Sequence, residues 1–341
     1  MPATPEPVIQ EIRSGKFRPI YFLHGDEPWY MDSISALIEK TALTDSQRGF
    51  NQTIMYGRDS SMAAVLAAAR RFPMMSDRQL VFVREAQDLG ELGREDGRKA
   101  MEAYAKNPVP STILVISWKN KPFDGRTTLA KTLDAQGALI ECKKVADWKL
   151  GEWVTNYAKD IKLNLSTEAG HMLAEYIGND LGRMAGEIDK LRINLKDSGT
   201  KVTPELVQQY IGISRDYNIF ELQKALSARD VLKANQIVSH FAKDPKSNPL
   251  VMNIGVLFSY FSRLFLTRCQ ADQSELALAR ALKIAPFIAR ETAAAAKRFS
   301  PEQLMAIIGH LRIADLRSKG IEGGSASEEE IMRELIFRIM H

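Results

Sequence analysis

The chain has two cysteines, Cys142 and Cys269, far apart in the sequence, and five scattered histidines. Neither a disulfide framework nor a Cys/His metal-ligand spacing can be drawn from them. No apolar run approaches the ~20 residues of a membrane span. The stretch Met1–Gln10 is proline-rich and lacks the basic and apolar regions of a signal peptide. A cytosolic protein with no metal, no cofactor and no membrane partner is expected. One-sided charge is missing as well, since the net charge is only +4. Residues 1–212 balance at 28 basic and 28 acidic side chains, whereas residues 213–341 hold 18 against 14. That small excess fits a face near nucleic acid, and a mixed, solvated helical surface accounts for it as well.

What is present is enough apolar material for real cores: 45% of 341 residues, spread over a length that holds two or three domains. The first part alternates. Short apolar runs at Pro19–His24, Gln52–Tyr56, Gln79–Arg84, Thr112–Ser117 and Ala138–Glu141 predict strands. Helical patterns lie between them, among them Met31–Lys40, Met62–Arg71 and Arg98–Ala105. This is the signature of a parallel sheet covered on both faces. From Ala146 the strand signal fades. Trp148–Asp160 predicts a helix, Ser166 an N-cap, and Leu181, Met184, Ala185, Ile188 and Leu191 the buried stripe of another helix. Thr203-Pro204-Glu205 starts a further one. Beyond Ile213 the pattern is helical, with breaks at Pro245–Pro249, Pro286, Ser300-Pro301 and Gly320–Ser327. The expected plan is therefore an α/β domain over 1–143, a small helical domain over 144–212 and a larger all-α domain over 213–341.

Gly25 ends the first apolar run just before a helical pattern, where a nucleotide-binding α/β domain puts its phosphate loop. A Walker loop needs glycine, lysine and Ser/Thr at the fifth, sixth and seventh places after Gly25. Here these are Tyr30, Met31 and Asp32. The cation for the phosphates is replaced by a thioether and the magnesium-ligating hydroxyl by a carboxylate. A structural strand-to-helix turn is the stronger reading. After the third strand, Arg84-Glu85-Ala86 offers one carboxylate without the acidic neighbour that an ATPase uses.

The segment Arg71-Phe72-Pro73-Met74-Met75-Ser76 also stands out. Proline disfavours helical geometry in the residue before it, so the helix from Met62 should stop near Phe72 and leave two methionines on a turn. Methionine adapts to irregular pockets and is over-used at binding surfaces. From the residues alone, packing beneath the sheet is the stronger reading of Met74 and Met75.

Taken in order, several segments resemble the delta subunit of the bacterial DNA polymerase III clamp loader, over essentially the whole chain. Tyr21 through Pro28 resembles the family's first strand and degenerate phosphate loop. Arg70 through Val81 resembles the segment carrying its clamp-binding element. Gly178-Asn179-Asp180-Leu181 with Glu187 through Leu191 resembles the lid helix. Asn218 through Leu222 resembles the start of the collar, and Ala314-Asp315 with Lys319 its penultimate helix. The resemblance implies an AAA+ type sheet domain, a helical lid and a helical collar. It implies a non-catalytic subunit in a pentameric ring with delta-prime and gamma or tau ATPases, which binds and opens the sliding clamp (the beta subunit) for loading onto primed DNA.

On that resemblance the clamp wedge falls on Met74 and Met75 with Phe72 beside them, although two methionines depart from a wedge with one aromatic residue. Ile140-Glu141-Cys142 stands where the ATPase partners carry Ser-Arg-Cys, so no arginine finger is expected from this chain. Arg280, Lys283, Arg290, Lys297 and Arg298 are candidate contacts to DNA phosphates, as are Lys143, Lys144 and Lys149, with an ordinary solvated surface as the alternative. Three other functions stay open: an active ATPase with an unusual loop, the delta-prime stator of the same ring, and a helical scaffold without clamp contact.

Overall fold

The structure, a computed structural model, describes residues 2–195, 199–211, 217–246, 248–322 and 326–341. It divides into two compact units, Met1–Val145 and Ala146–His341. The expected boundary between residues 212 and 213 lies outside the described residues.

The first unit is built on five parallel strands: β1 (Ile20–Gly25), β2 (Gln52–Tyr56), β3 (Gln79–Arg84), β4 (Thr112–Lys119) and β5 (Leu139–Glu141). Their order across the sheet is β2-β3-β4-β1-β5. β1, β3 and β4 are central and buried on both faces, which is why they read as continuous apolar runs. Register pairs Phe22 with Ile116 on one side and with Leu139 on the other. One face carries Ile20, Phe22, Val81, Val83, Leu114 and Ile116 into a core shared with the helices Met62–Ala69, Glu95–Lys106 and Thr128–Ala135. The opposite face meets the helix Pro28–Ala42, against which Pro5–Arg13 packs.

β4 runs two residues past its expected end because Trp118 and Lys119 still pair with His24 and Gly25. The helix from Met62 ends at Ala69, short of Phe72. Its last carbonyls find partners across the fold: the Ala69 oxygen accepts from the Thr112 hydroxyl at 2.8 Å and the Ala68 oxygen from the Gln79 side-chain amide at 3.2 Å. A helix end satisfied in this way needs no glycine cap.

The second unit is helical apart from one short bridge, Leu165 to Val202, among the described residues. Leu150–Asp160, Thr167–Ile177, Leu181–Leu195 and Pro204–Ile211 pack on one another, with Leu181, Met184, Ala185, Ile188 and Leu191 buried in the third. A larger core joins Ile219–Ala228, Val231–Lys243, Leu250–Cys269, Pro301–Ser318 and Glu328–Met340. Pro301 occupies the first turn of its helix, and Ser300 with Gln303 closes a capping box in front of it. One expectation needs correcting. The helix Leu250–Cys269 has the length and composition to cross a membrane, so a run of span size is present. Its pattern explains it otherwise: Leu250, Ile254, Leu257, Phe261 and Leu264 form a buried stripe, while Arg263 and Arg268 interrupt the run.

Candidate functional site

Two strand-end loops of the first unit hold the positions singled out in the sequence. At the first, only Asp26 and Glu27 separate β1 from the helix beginning at Pro28. Gly25 has φ +132°, a conformation open to glycine, and a Cβ there would overlap the Cys142 carbonyl oxygen. The turn is drawn tight against the end of β5. The His24 carbonyl accepts from the Cys142 N–H at 2.7 Å, and the Glu27 N–H donates to the Cys142 carbonyl at 3.0 Å. The backbone donor that could have faced a phosphate is thereby used internally. The helix N-terminus is capped by the Glu27 carboxylate, which is buried and accepts from the Trp29 N–H at 3.2 Å. An anion site of this kind is filled by the protein's own anion.

The Walker positions then fall inside the helix. Tyr30 is buried and donates its hydroxyl to Glu6 at 2.7 Å; Met31 is fully buried; Asp32 is exposed and pairs with Lys119 at 2.6 Å. Burial pushes the Cys142 thiol up, with Glu6, Glu27 and Glu141 adding to the shift, so it stays protonated and inert. Glu141 pairs with Lys143 at 3.0 Å. His24 is also buried. Its Nδ1 accepts from the Phe123 N–H at 3.1 Å, which leaves the proton of the neutral ring on Nε2, and burial lowers its pKa. Glu85, after β3, holds a left-handed backbone at φ +51° and is exposed.

The second loop, Arg70 to Arg78, joins the helix Met62–Ala69 to β3. Phe72 is 84% exposed, Met74 62% and Met75 101%, so none of the three packs beneath the sheet. Met75 takes φ +51°, a left-handed conformation that costs a non-glycine residue about 1–2 kcal/mol. The loop is not loose at its base. Gln79, buried at the start of β3, donates its side-chain amide to the Arg71 carbonyl at 2.5 Å and to the Thr112 hydroxyl at 2.8 Å. Asn51, buried at the end of the helix Asp45–Asn51, accepts from the Met74 N–H at 2.6 Å and donates to the Met74 carbonyl at 2.8 Å. Phe50, one residue earlier, is exposed too. Sequence reading singled out neither Asn51 nor Gln79. The visible signal was only that Asn51 is a polar residue just before one predicted strand and Gln79 the polar first residue of another.

Lys143 and Lys144 follow β5 at the end of the first unit, and the other basic candidates are dispersed through the second. Arg280 is on the helix Glu275–Leu282, and Arg290 on Pro286–Ala296; Lys297 and Arg298 follow the latter directly. All are exposed, yet Arg298 donates to the Ser227 carbonyl at 3.1 Å. Lys283 lies 4.1 Å from the centre of the Trp148 ring, which Lys149 also meets at 5.0 Å. That pair of contacts borders a cleft of ≈ 660 Å³ in which Arg263 is paired with Glu175. Among the described residues, no group of acidic, His and Cys side chains could hold a metal ion.

The family model for the DNA polymerase III delta subunit matches residues 21–143, the stretch that carries both loops. A DNA polymerase III subunit delta from Bacillus subtilis is 28% identical over 319 residues, covering 92% of this chain and 91% of its own. A probable DNA polymerase III subunit delta from Aquifex aeolicus is 21% identical over 262 residues, covering 75% of this chain and 72% of its own. The solved structure of the Bacillus subtilis DNA clamp loader delta protein aligns with a TM-score of 0.59 at 23% identity and covers 99% of both chains, so the fold is shared along the whole length. In sequence and in fold the chain is therefore similar to DNA polymerase III delta subunits along nearly its whole length, and the family model matches its sheet domain.

Proposed function

We propose that this clamp-loader subunit has no catalysis of its own and acts by inserting Met74 and Met75, flanked by Phe72, into the sliding clamp. The single observation that carries the reading is their exposure on a turn whose base is held by buried amides. Burial of each methionine in a clamp pocket contributes roughly 1.5–3 kcal/mol. That energy favours an opened clamp interface over a closed one, which is selection between two states by differential binding. ATP is handled by gamma or tau subunits and not here, because Tyr30 and Met31 are structural and the helix end is already capped by Glu27. Residues 213–341 form the collar that joins delta-prime and the ATPases in a pentameric ring, and residues 144–212 form the lid. Primed DNA is met inside that assembly, in the cytosolic replisome.

The test uses purified sliding clamp and the double variant Met74→Ser/Met75→Ser. Loss of two buried methionines weakens clamp binding by at least about a hundredfold, with the melting temperature unchanged. Wild-type affinity in a folded double variant refutes the reading. Titration with a fluorescent ATP analogue checks the second half: no saturable binding is expected, and micromolar affinity that is lost on changing Gly25 restores the ATPase alternative.

A further inference from the structure

The Asn51 side chain satisfies both main-chain groups of Met74, as a neighbouring strand would. Its remaining amide hydrogen is also used, in a bond to the Gln47 carbonyl at 3.0 Å. Only a carboxamide offers a donor and an acceptor in that fork. Aspartate would keep the acceptor and set a carboxylate against the Met74 carbonyl; alanine would leave both Met74 groups with water or nothing. The bonded residue is the one whose side chain starts the projecting tip. Gln79 holds the same loop three residues earlier, at Arg71. Between these anchors and the left-handed Met75, the direction of the tip is set before any partner arrives.

We propose that Asn51 is a positioning residue for clamp recognition: it holds the Met74 backbone so that the free chain already presents the wedge. The inference rests on the reading of this loop as the clamp contact. Affinity for a partner is reduced by the fraction of molecules in the competent conformation, so releasing the loop weakens binding without removing any clamp-facing atom.

The experiment measures clamp affinity, melting temperature and hydrogen exchange of the Met74 amide in the full-length chain. The variants are Asn51→Ala, Asn51→Asp and the Met74→Ser/Met75→Ser control. Asn51→Ala, with the loop competent in about a tenth of molecules, binds about tenfold more weakly and exchanges its Met74 amide faster. Asn51→Asp, which keeps the bond to the Met74 N–H, loses about threefold and retains part of the protection. A helix-capping role alone would lower the melting temperature and leave clamp affinity and Met74 exchange as they were; that result overturns the proposal. If Asn51→Ala does not fold, unchanged affinity in Asn51→Asp overturns it instead. The control separates the two levels. Should it bind the clamp normally, the reading of the loop fails; should it lose binding while Asn51→Ala does not, only the role of Asn51 fails.

Discussion

Met31 and Met75 sit at the ends of two loops in the same sheet domain, and one is fully buried while the other is fully exposed. The difference is not in the side chain. Met31 follows a turn of two residues, Asp26 and Glu27, after which the helix begins and carries Tyr30 and Met31 against the core. Met75 lies in a stretch of nine residues between the helix ending at Ala69 and β3, held at Arg71 and Met74 and, at its far end, by Arg78 over the Phe17 ring. A short connection turns apolar residues inward, and a longer, anchored one carries them out. The first loop is a tight turn with no lysine at the Walker place, and the second presents an exposed apolar tip in the same sheet domain.

The largest effect that would break this contrast is predicted at Gly25. Gly25→Val must hold a side chain at φ +132° and against the Cys142 carbonyl, costing at least about 3 kcal/mol, or a melting temperature lower by roughly 6–12 °C in thermal unfolding. A variant as stable as the wild type would mean that the turn is not held as described. Met75→Gly sharpens the contrast from the other side. Glycine relieves the left-handed backbone, so stability moves by less than about 1 kcal/mol, while clamp affinity falls roughly tenfold to a hundredfold. Melting and titration on one sample read both.

A smaller effect concerns pH. His24 has its pKa lowered by burial, so the unfolded chain takes up a proton, as pH falls through about 6.5, that the folded chain declines. Stability is therefore lost on acidification below that point, by up to about 1.4 kcal/mol per pH unit. His171 in the helical unit carries the same sign. His24→Phe removes its share: the slope of stability against pH between 6.5 and 5 flattens, whatever the absolute change, and an unaltered slope would contradict the assignment. The smallest effect is at Asp32, largely solvent-exposed in its pair with Lys119, where Asp32→Asn changes stability by less than about 1 kcal/mol in denaturant unfolding.

Much of the fold was legible. The strands were found to within two residues at either end because central parallel strands are apolar runs bounded by breakers. The helix Pro5–Arg13 was not, since its prolines read as loop. Pro5 occupies the first position, where no N–H is needed, and Val8 and Ile12 bury one face. The run Leu250–Cys269 was passed over because arginines and asparagine dilute it. At the site, the segment around Met74 and Met75 could be picked out from its proline and its methionines, and the resemblance assigned it a role. Asn51 and Gln79 could not, because a buried amide's function depends on which backbone folds over it, and the Met74 backbone arrives from 23 residues away.

In the proposed function, binding energy at the loop opens the clamp with no nucleotide chemistry in this chain. The direct measurement places a pair of fluorophores across one interface of the sliding clamp and follows their separation as the full chain is added without ATP. Separation with the wild-type chain and none with Met74→Ser/Met75→Ser is the predicted result. Separation that requires ATP bound to this chain, or that survives the double change, would contradict it.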